Sequence, residues 1–164
     1  MTRGYTPRPM TPSASPDASA GVTIDEVDTA SPEVVDALRA LVPDLSRSAP
    51  PLTAADVQAI VASPATILLV ARDGSGVVLG SLTLVVFRAP TGPRAWIEDV
   101  VVAPATRGRG IGEQLVLEAL RRAKAAGSRT VDLTSRPSRE AANRLYVRLG
   151  FSARETNVYR HSLE

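Results

Sequence analysis

The hexapeptide Arg107-Gly108-Arg109-Gly110-Ile111-Gly112 constrains this chain more than any other stretch. It follows an apolar, strand-like run, Ala95 to Ala103, and opens a helical pattern from about Gly112 to Ala126. Three glycines in five residues let backbone approach a ligand, because no Cβ intervenes. The start of a helix adds unpaired N–H groups and the positive end of its dipole. Strand, glycine turn and helix together form a cradle for phosphate or pyrophosphate. Arg107 and Arg109 add charge where the anion would rest.

Two kinds of nucleotide site compete for this pattern. A dinucleotide turn requires G-x-G-x-x-G, but Glu113 holds the place of the third glycine. Asp132 does lie about 20 residues on, where a ribose-binding acid is expected. A dinucleotide fold, however, needs several strand–helix units after its turn, and 52 residues follow Gly112. A triphosphate P-loop needs Gly-Lys-Ser/Thr, and the one lysine is Lys124.

Arg-x-x-Gly-x-Gly, here Arg107, Gly110 and Gly112, resembles the acetyl-CoA pyrophosphate loop of the GNAT superfamily of N-acetyltransferases. Trp96 to Pro104 is similar to that family's fourth strand. Ala142-Asn143-Arg144-Leu145-Tyr146 followed by Leu149-Gly150-Phe151 is similar to its last helix and the strand after it. The three motifs stand in the family's order and spacing, and the resemblance covers roughly residues 22–164.

Composition narrows the chemistry. The length of 164 residues suits one domain with a real core. There is no cysteine and a single histidine, His161, so disulfides, thiolate chemistry and a zinc site are not expected. Arginine supplies 18 of the 19 basic residues, yet the net charge is only +2 and the arginines are scattered. Nucleic-acid binding is therefore not expected. No apolar run is long enough for a membrane span, and no signal-peptide core stands at the N-terminus, so the expected location is cytoplasmic.

Residues 1–21, rich in Pro, Ser, Thr and Ala, read as a flexible tail ahead of a domain over 22–164. Val22 to Val27 alternates as a first strand. Ser31-Pro32-Glu33 starts a helix with a cap, a first-turn proline and an acid. Pro43 to Leu52 reads as a loop, and Thr53 with Asp56 caps a second helix. Thr66 to Arg72 and Val77 to Phe87 read as strands joined by the turn Asp73-Gly74-Ser75-Gly76. Gly80 signals a bulge or a close backbone approach, and Arg94 to Ala103 is the fourth strand. Glu118 and Arg122 are spaced to pair on the third helix, and Gly127 stops it. Thr130 to Thr134 is a fifth strand. Ser138 is expected to cap a fourth helix ending at Gly150, with two more strands over Phe151–Glu155 and Val158–Leu163. The resemblance implies the same plan: an α/β fold whose mixed central sheet of six to seven strands is flanked by about four helices and splayed between strands 4 and 5.

The resemblance also implies the site. Arg107, Gly108, Arg109, Gly110, Ile111 and Gly112 would hold the pyrophosphate of acetyl-CoA. Backbone groups of Val100, Val101 and Val102 would pair with the pantetheine arm as an added strand, and an N–H near Val101 would polarise the acyl oxygen. Tyr146 would be the general acid, since a phenol of pKa near 10 can protonate a thiolate of pKa near 8.5. Asn143, three residues earlier on the same helical face, would bond the cofactor. Glu98 is the expected base, buried in an apolar strand and raised in pKa by that burial. Asp99 should face the opposite way unless a bulge swaps them. The chain departs from the family at Arg139, where asparagine is frequent, and at Thr134, where many peptide acetyltransferases carry glutamate. Arg136 and Arg139 would then meet the cofactor's 3′-phosphate or an anionic substrate. The Ile97-Glu98-Asp99 run is most similar to the small-molecule branch, which includes glucosamine-6-phosphate acetyltransferases. The expected activity is acetyl transfer to a primary amine of a small molecule by direct attack in a ternary complex, as a possible homodimer. A peptide acetyltransferase and a non-catalytic acyl-CoA sensor are the alternatives.

Overall fold

The computed structural model describes residues 21–163; the proposed tail lies almost wholly outside them. A single sheet runs in the order β1 (Thr23–Glu26), β2 (Thr66–Arg72), β3 (Val78–Ala89), β4 (Gly92–Val102), β5 (Val131–Leu133). All neighbours are antiparallel except β4 and β5, which are parallel.

Both faces of the sheet are covered, which explains the almost continuous apolar run Thr66–Arg72. Leu69 and Ala71 of β2 turn to one face with Leu82, Leu84, Ala95 and Ile97, under α3 (Ile111–Ala125) and α4 (Glu140–Arg148). Leu68 and Val70 turn to the other face, under α1 (Pro32–Leu45) and α2 (Ala54–Ala62). Leu69, Leu82, Leu84 and Leu115 are fully buried, each contributing about 2 kcal/mol of transfer free energy.

Local signals set the helix ends. The Ser31 side chain accepts from Val34 N–H at 3.4 Å, with Pro32 in the first turn. Thr53 and Asp56 form a reciprocal capping box. Gly127 and Gly150 stand just beyond α3 and α4 with φ of 78° and 90°. Glu118 pairs with Arg122 at 2.8 Å as its spacing predicts.

Three expectations are corrected. Among the described residues the sheet has five strands, not six to seven: Phe151–Glu155 and Val158–Leu163 form no ladder. A strand exists by pairing in a ladder, and these segments join none; Val158, Tyr159 and Leu163 are exposed. The residue capping α4 is Arg139 rather than Ser138, and no side chain makes the cap bond. Finally, α1 continues through Pro43 and Asp44 to Leu45, so the loop begins three residues later than Pro43. Ser46 N–H closes that last turn on Val42 O.

Two register shifts shape the centre of the sheet. Ser81 faces Val101 and Thr83 faces Glu98, so Asp99 and Val100 together oppose Leu82. This is a β-bulge, and Asp99 is the one non-glycine residue of positive φ, 51°, among the described residues. Gly80 stands beside the second shift.

Candidate functional site

The parallel ladder between β4 and β5 is short. It pairs Ala95, Ile97 and the residue between them with Val131 to Leu133, then stops. Beyond Ile97 the β5 side of β4 is free, and the two strands part. A cleft of about 760 Å³ lies there, lined by Val100, Val101 and Val102, by the glycine loop and the start of α3, and by the face of α4 that carries Tyr146.

The bulge decides which backbone groups face this cleft. Ahead of it, Ala95 N–H bonds Thr130 O on the β5 side. After it, Ala103 N–H bonds Leu79 O on β3. Hydrogen-bonded pairs alternate along an antiparallel ladder, so the peptide groups of Val101 go to Ser81 of β3. Those of Val100 and Val102 turn into the cleft. Two guanidinium groups confirm the direction: Arg139 Nη2 donates to Val100 O at 3.3 Å, and Arg107 Nε to Val102 O at 3.2 Å. The backbone N–H groups available to a ligand are thus those of Val100 and Val102, on either side of the Val101 group the sequence suggested.

At the outer end of the cleft, Gly110 caps α3 in the left-handed conformation, φ 75°, with no side-chain cap bond. The first intrahelical bond comes from Gln114 N–H to Gly110 O, which leaves the N–H groups of the first turn for an anion. Arg107, Gly108, Gly110, Ile111, Gly112 and Glu113 line this end. A Cβ on Gly108 or Gly110 would touch no protein atom within 4 Å, so both glycines border open space. Arg107 is also tied to Asp44 of α1, Nη2 to Oδ2 at 3.0 Å. Arg109 is not among the lining residues.

Tyr146 is 7% exposed and lines the cleft. Its ring meets Phe151 edge-on, centroids 5.8 Å apart at 65°. Burial pushes its phenol above the ordinary value of 10, while the charge of Arg139 opposes the push. Asn143, on the same helix, is not a lining residue: its Nδ2 donates to Arg136 O at 3.0 Å and fastens the loop ahead of α4.

Glu98 departs from its expected setting. Glu98 and Asp99 are both exposed, so Glu98 is not a buried acid. It pairs with Thr83, which pairs with Leu68, and so lies on the α1/α2 face of the sheet. Trp96 Nε1 donates to Glu98 Oε1 at 2.7 Å and holds it there. Among the described residues no group of three His, Cys, Asp or Glu could hold a metal ion, and no helix is long and apolar enough to cross a membrane. Two participants went unseen in the sequence: Asp44, hidden in what read as a proline loop, and the Arg139–Val100 bond, which spans 39 residues.

The cleft has the shape and polarity to hold a phosphorylated carrier with an extended arm. An uncapped helix start, a strand edge that turns the N–H groups of Val100 and Val102 outward, and a buried tyrosine all border it. A solved structure from Agrobacterium tumefaciens str. C58, classed as an acetyltransferase, superposes with a TM-score of 0.76 at 28% identity, covering 85% of this chain and 99% of that one. A transcriptional regulator from Bacillus halodurans C-125 superposes with a TM-score of 0.72 at 31% identity, covering 86% of this chain and 99% of that one. An uncharacterised N-acetyltransferase of Methanocaldococcus jannaschii is 41% identical over 61 residues, which span 37% of this chain and 27% of that protein. Residues 34–151 match the acetyltransferase (GNAT) family, from the buried face of α1 through the cleft to Phe151, and the chain belongs to that family.

Proposed function

We propose that this chain is an acetyl-CoA-dependent N-acetyltransferase that acylates a primary amine of a small molecule by direct attack in a ternary complex. The observation that carries the proposal is the convergence on one cleft of the uncapped α3 start, the unpaired β4 edge and Tyr146.

Acetyl-CoA supplies an activated acyl thioester. The first-turn N–H groups of α3, with Arg107, Gly108, Gly110, Ile111 and Gly112, hold its pyrophosphate, and Arg109 contributes charge at the rim. Val100 and Val102 offer N–H and C=O groups to its arm, and one of these N–H groups polarises the acyl oxygen. Val101 holds the edge in place through β3, and Asn143 holds the loop that leads into α4. Glu98 takes a proton from the attacking amine through a water, a route its exposure allows. Tyr146 Oη gives its proton to the departing sulfur; burial keeps that proton in place at neutral pH. The chain has no cysteine to carry an acyl-enzyme, which favours direct attack. The proposal includes a cytoplasmic site of action and a homodimer; a solution mass near twice 17.3 kDa checks the second.

The test is release of free CoA thiol from acetyl-CoA across amino sugars, polyamines, amino acids and peptides, beside calorimetric titration of the cofactor. Turnover with a small amine supports the proposal. Turnover with peptides alone replaces the acceptor, and binding without turnover on any amine indicates a sensor.

A further inference from the structure

Four arginines line the cleft, and three are neutralised by carboxylates. Arg107 pairs with Asp44 at 3.0 Å, Arg144 with Glu140 at 3.5 Å and Arg148 with Glu113 at 2.8 Å. Arg139 differs. Among the described residues its guanidinium meets no carboxylate, and its hydrogen bond goes to a neutral group, Val100 O, at 3.3 Å.

Its place along the cleft is informative. Val102 O, held by Arg107, lies beside the glycine loop. Val100 O lies two residues further in, roughly 7 Å along the strand, next to the bulge and towards the point where β4 and β5 part. Arg139 therefore lies at the bulge, one strand step beyond the carbonyl that Arg107 holds, and within electrostatic reach of Tyr146. Its charge is felt there, for it opposes the upward push that burial gives the phenol.

The chain gives up local stability to have this residue here. Arg139 is the capping residue of α4 and makes no cap bond. Ser, Asp or Asn at such a position stabilises a helix start, and Ser138 stands one residue too early to serve. A carbonyl is also a poor match for a planar fork of five N–H donors, which fits a carboxylate through two parallel bonds. An arm pairing along β4 would claim Val100 O and release the guanidinium into a cleft whose other carboxylates are already engaged.

We infer that Arg139 is a specificity residue for a carboxylate carried by one of the two reactants, on the acyl chain of the donor or on the amine acceptor. The reaction natural to this chain then involves an acidic acyl group or an acidic amine, not two neutral partners. This inference rests on the acyltransferase reading above and adds the charge of the substrate to it.

Calorimetry on the full chain tests it in two arms. The donor arm compares succinyl-CoA with acetyl-CoA. The acceptor arm compares 4-aminobutanoate with 4-aminobutanamide at saturating CoA. The expected result is a preference of about tenfold or more for the carboxylate ligand in one arm, the range of a hydrogen bond to a charged group; which arm responds identifies the reactant. In Arg139→Gln that ratio should collapse to near one, and Arg139→Lys should keep part of it. A ratio near one in both arms of the native chain, or a ratio that survives Arg139→Gln, overturns the inference. Failure of acetyl-CoA itself to bind overturns the acyltransferase reading, and the inference with it; binding without a charge preference overturns the inference alone.

Discussion

A Cβ placed on Gly80 of β3 would stand 2.7 Å from the backbone oxygen of Val101 on β4. The obstacle is backbone, so a side chain at Gly80 cannot be accommodated by a rotamer change. Gly80→Ala should push β3 and β4 apart and destabilise the fold by about 1–3 kcal/mol, the range for overpacking a core. Urea unfolding measures this. Because Val100 and Val102 flank the displaced group, cofactor affinity should fall as well. A variant as stable as the native chain would show that β4 yields without cost.

Tyr146→Phe removes one oxygen and keeps the edge-on contact with Phe151. Thermal stability should change little, while kcat should fall roughly 10²-fold or more, as for loss of a general acid. Burial raises the Tyr146 pKa above its ordinary value of 10. The native enzyme should therefore show no loss of kcat from this group as pH rises through 8 and 9. An unchanged kcat in the variant would remove Tyr146 from the proton path.

Gly110 has φ 75° and faces open space. Gly110→Ala meets no clash, but a left-handed conformation costs an ordinary residue about 1–2 kcal/mol. The added methyl would also stand where an anion approaches the α3 start. We expect a modest loss of stability and a cofactor Kd raised about tenfold, or 1.4 kcal/mol, read by calorimetry. An unaltered Kd would place the phosphate elsewhere.

Glu118 accepts from Arg121 Nε at 2.7 Å and from Arg122 Nε at 2.8 Å, and Arg122 reaches on to Glu26 of β1. The Arg121 hydrogen bond is the largest influence holding the Glu118 carboxyl at about 2, against an ordinary value of 4.5. The folded-state pKa lies below the unfolded one, so ionised Glu118 stabilises the fold above pH 4.5. That contribution is lost as pH falls from 4.5 towards about 2. Glu118→Gln should lower stability at pH 7 by about 1 kcal/mol, since Arg121 is a surface partner. It should also flatten the pH dependence in that window, as urea titrations at several pH values would show.

Much of the fold was legible because its signals are local. The Ser31 and Thr53 caps, the Thr66–Arg72 strand, the Asp73–Gly76 turn and the glycine loop each rest on a few consecutive residues. The candidate site was legible where it is backbone and less so where it depends on distant pairing. Nothing in the run Glu98-Asp99-Val100 announces that two of its residues oppose one on β3, nor that Glu98, opposite Thr83, is exposed rather than buried. Arg107 with Asp44 spans 63 residues, and Arg139 with Val100 spans 39; no periodicity encodes such contacts. The last two strands were misjudged for a related reason. Alternation shows that a segment can pair, not that it docks on a sheet edge, and these two segments join no ladder.

The extra residue in β4 acts as a frameshift within a single strand. Up to Ile97 the odd-numbered peptide groups serve the internal ladder with β5. After Asp99 the even-numbered ones inherit that side with no strand to meet them. The end of β5 at Leu133 makes the second half of an interior strand an edge, and the extra residue sets which of its numbered positions look out from it. Deleting Asp99 would close the bulge by setting Val100 alone against Leu82, while Val101 would stay on Ser81 and Val100 and Val102 would keep facing the cleft.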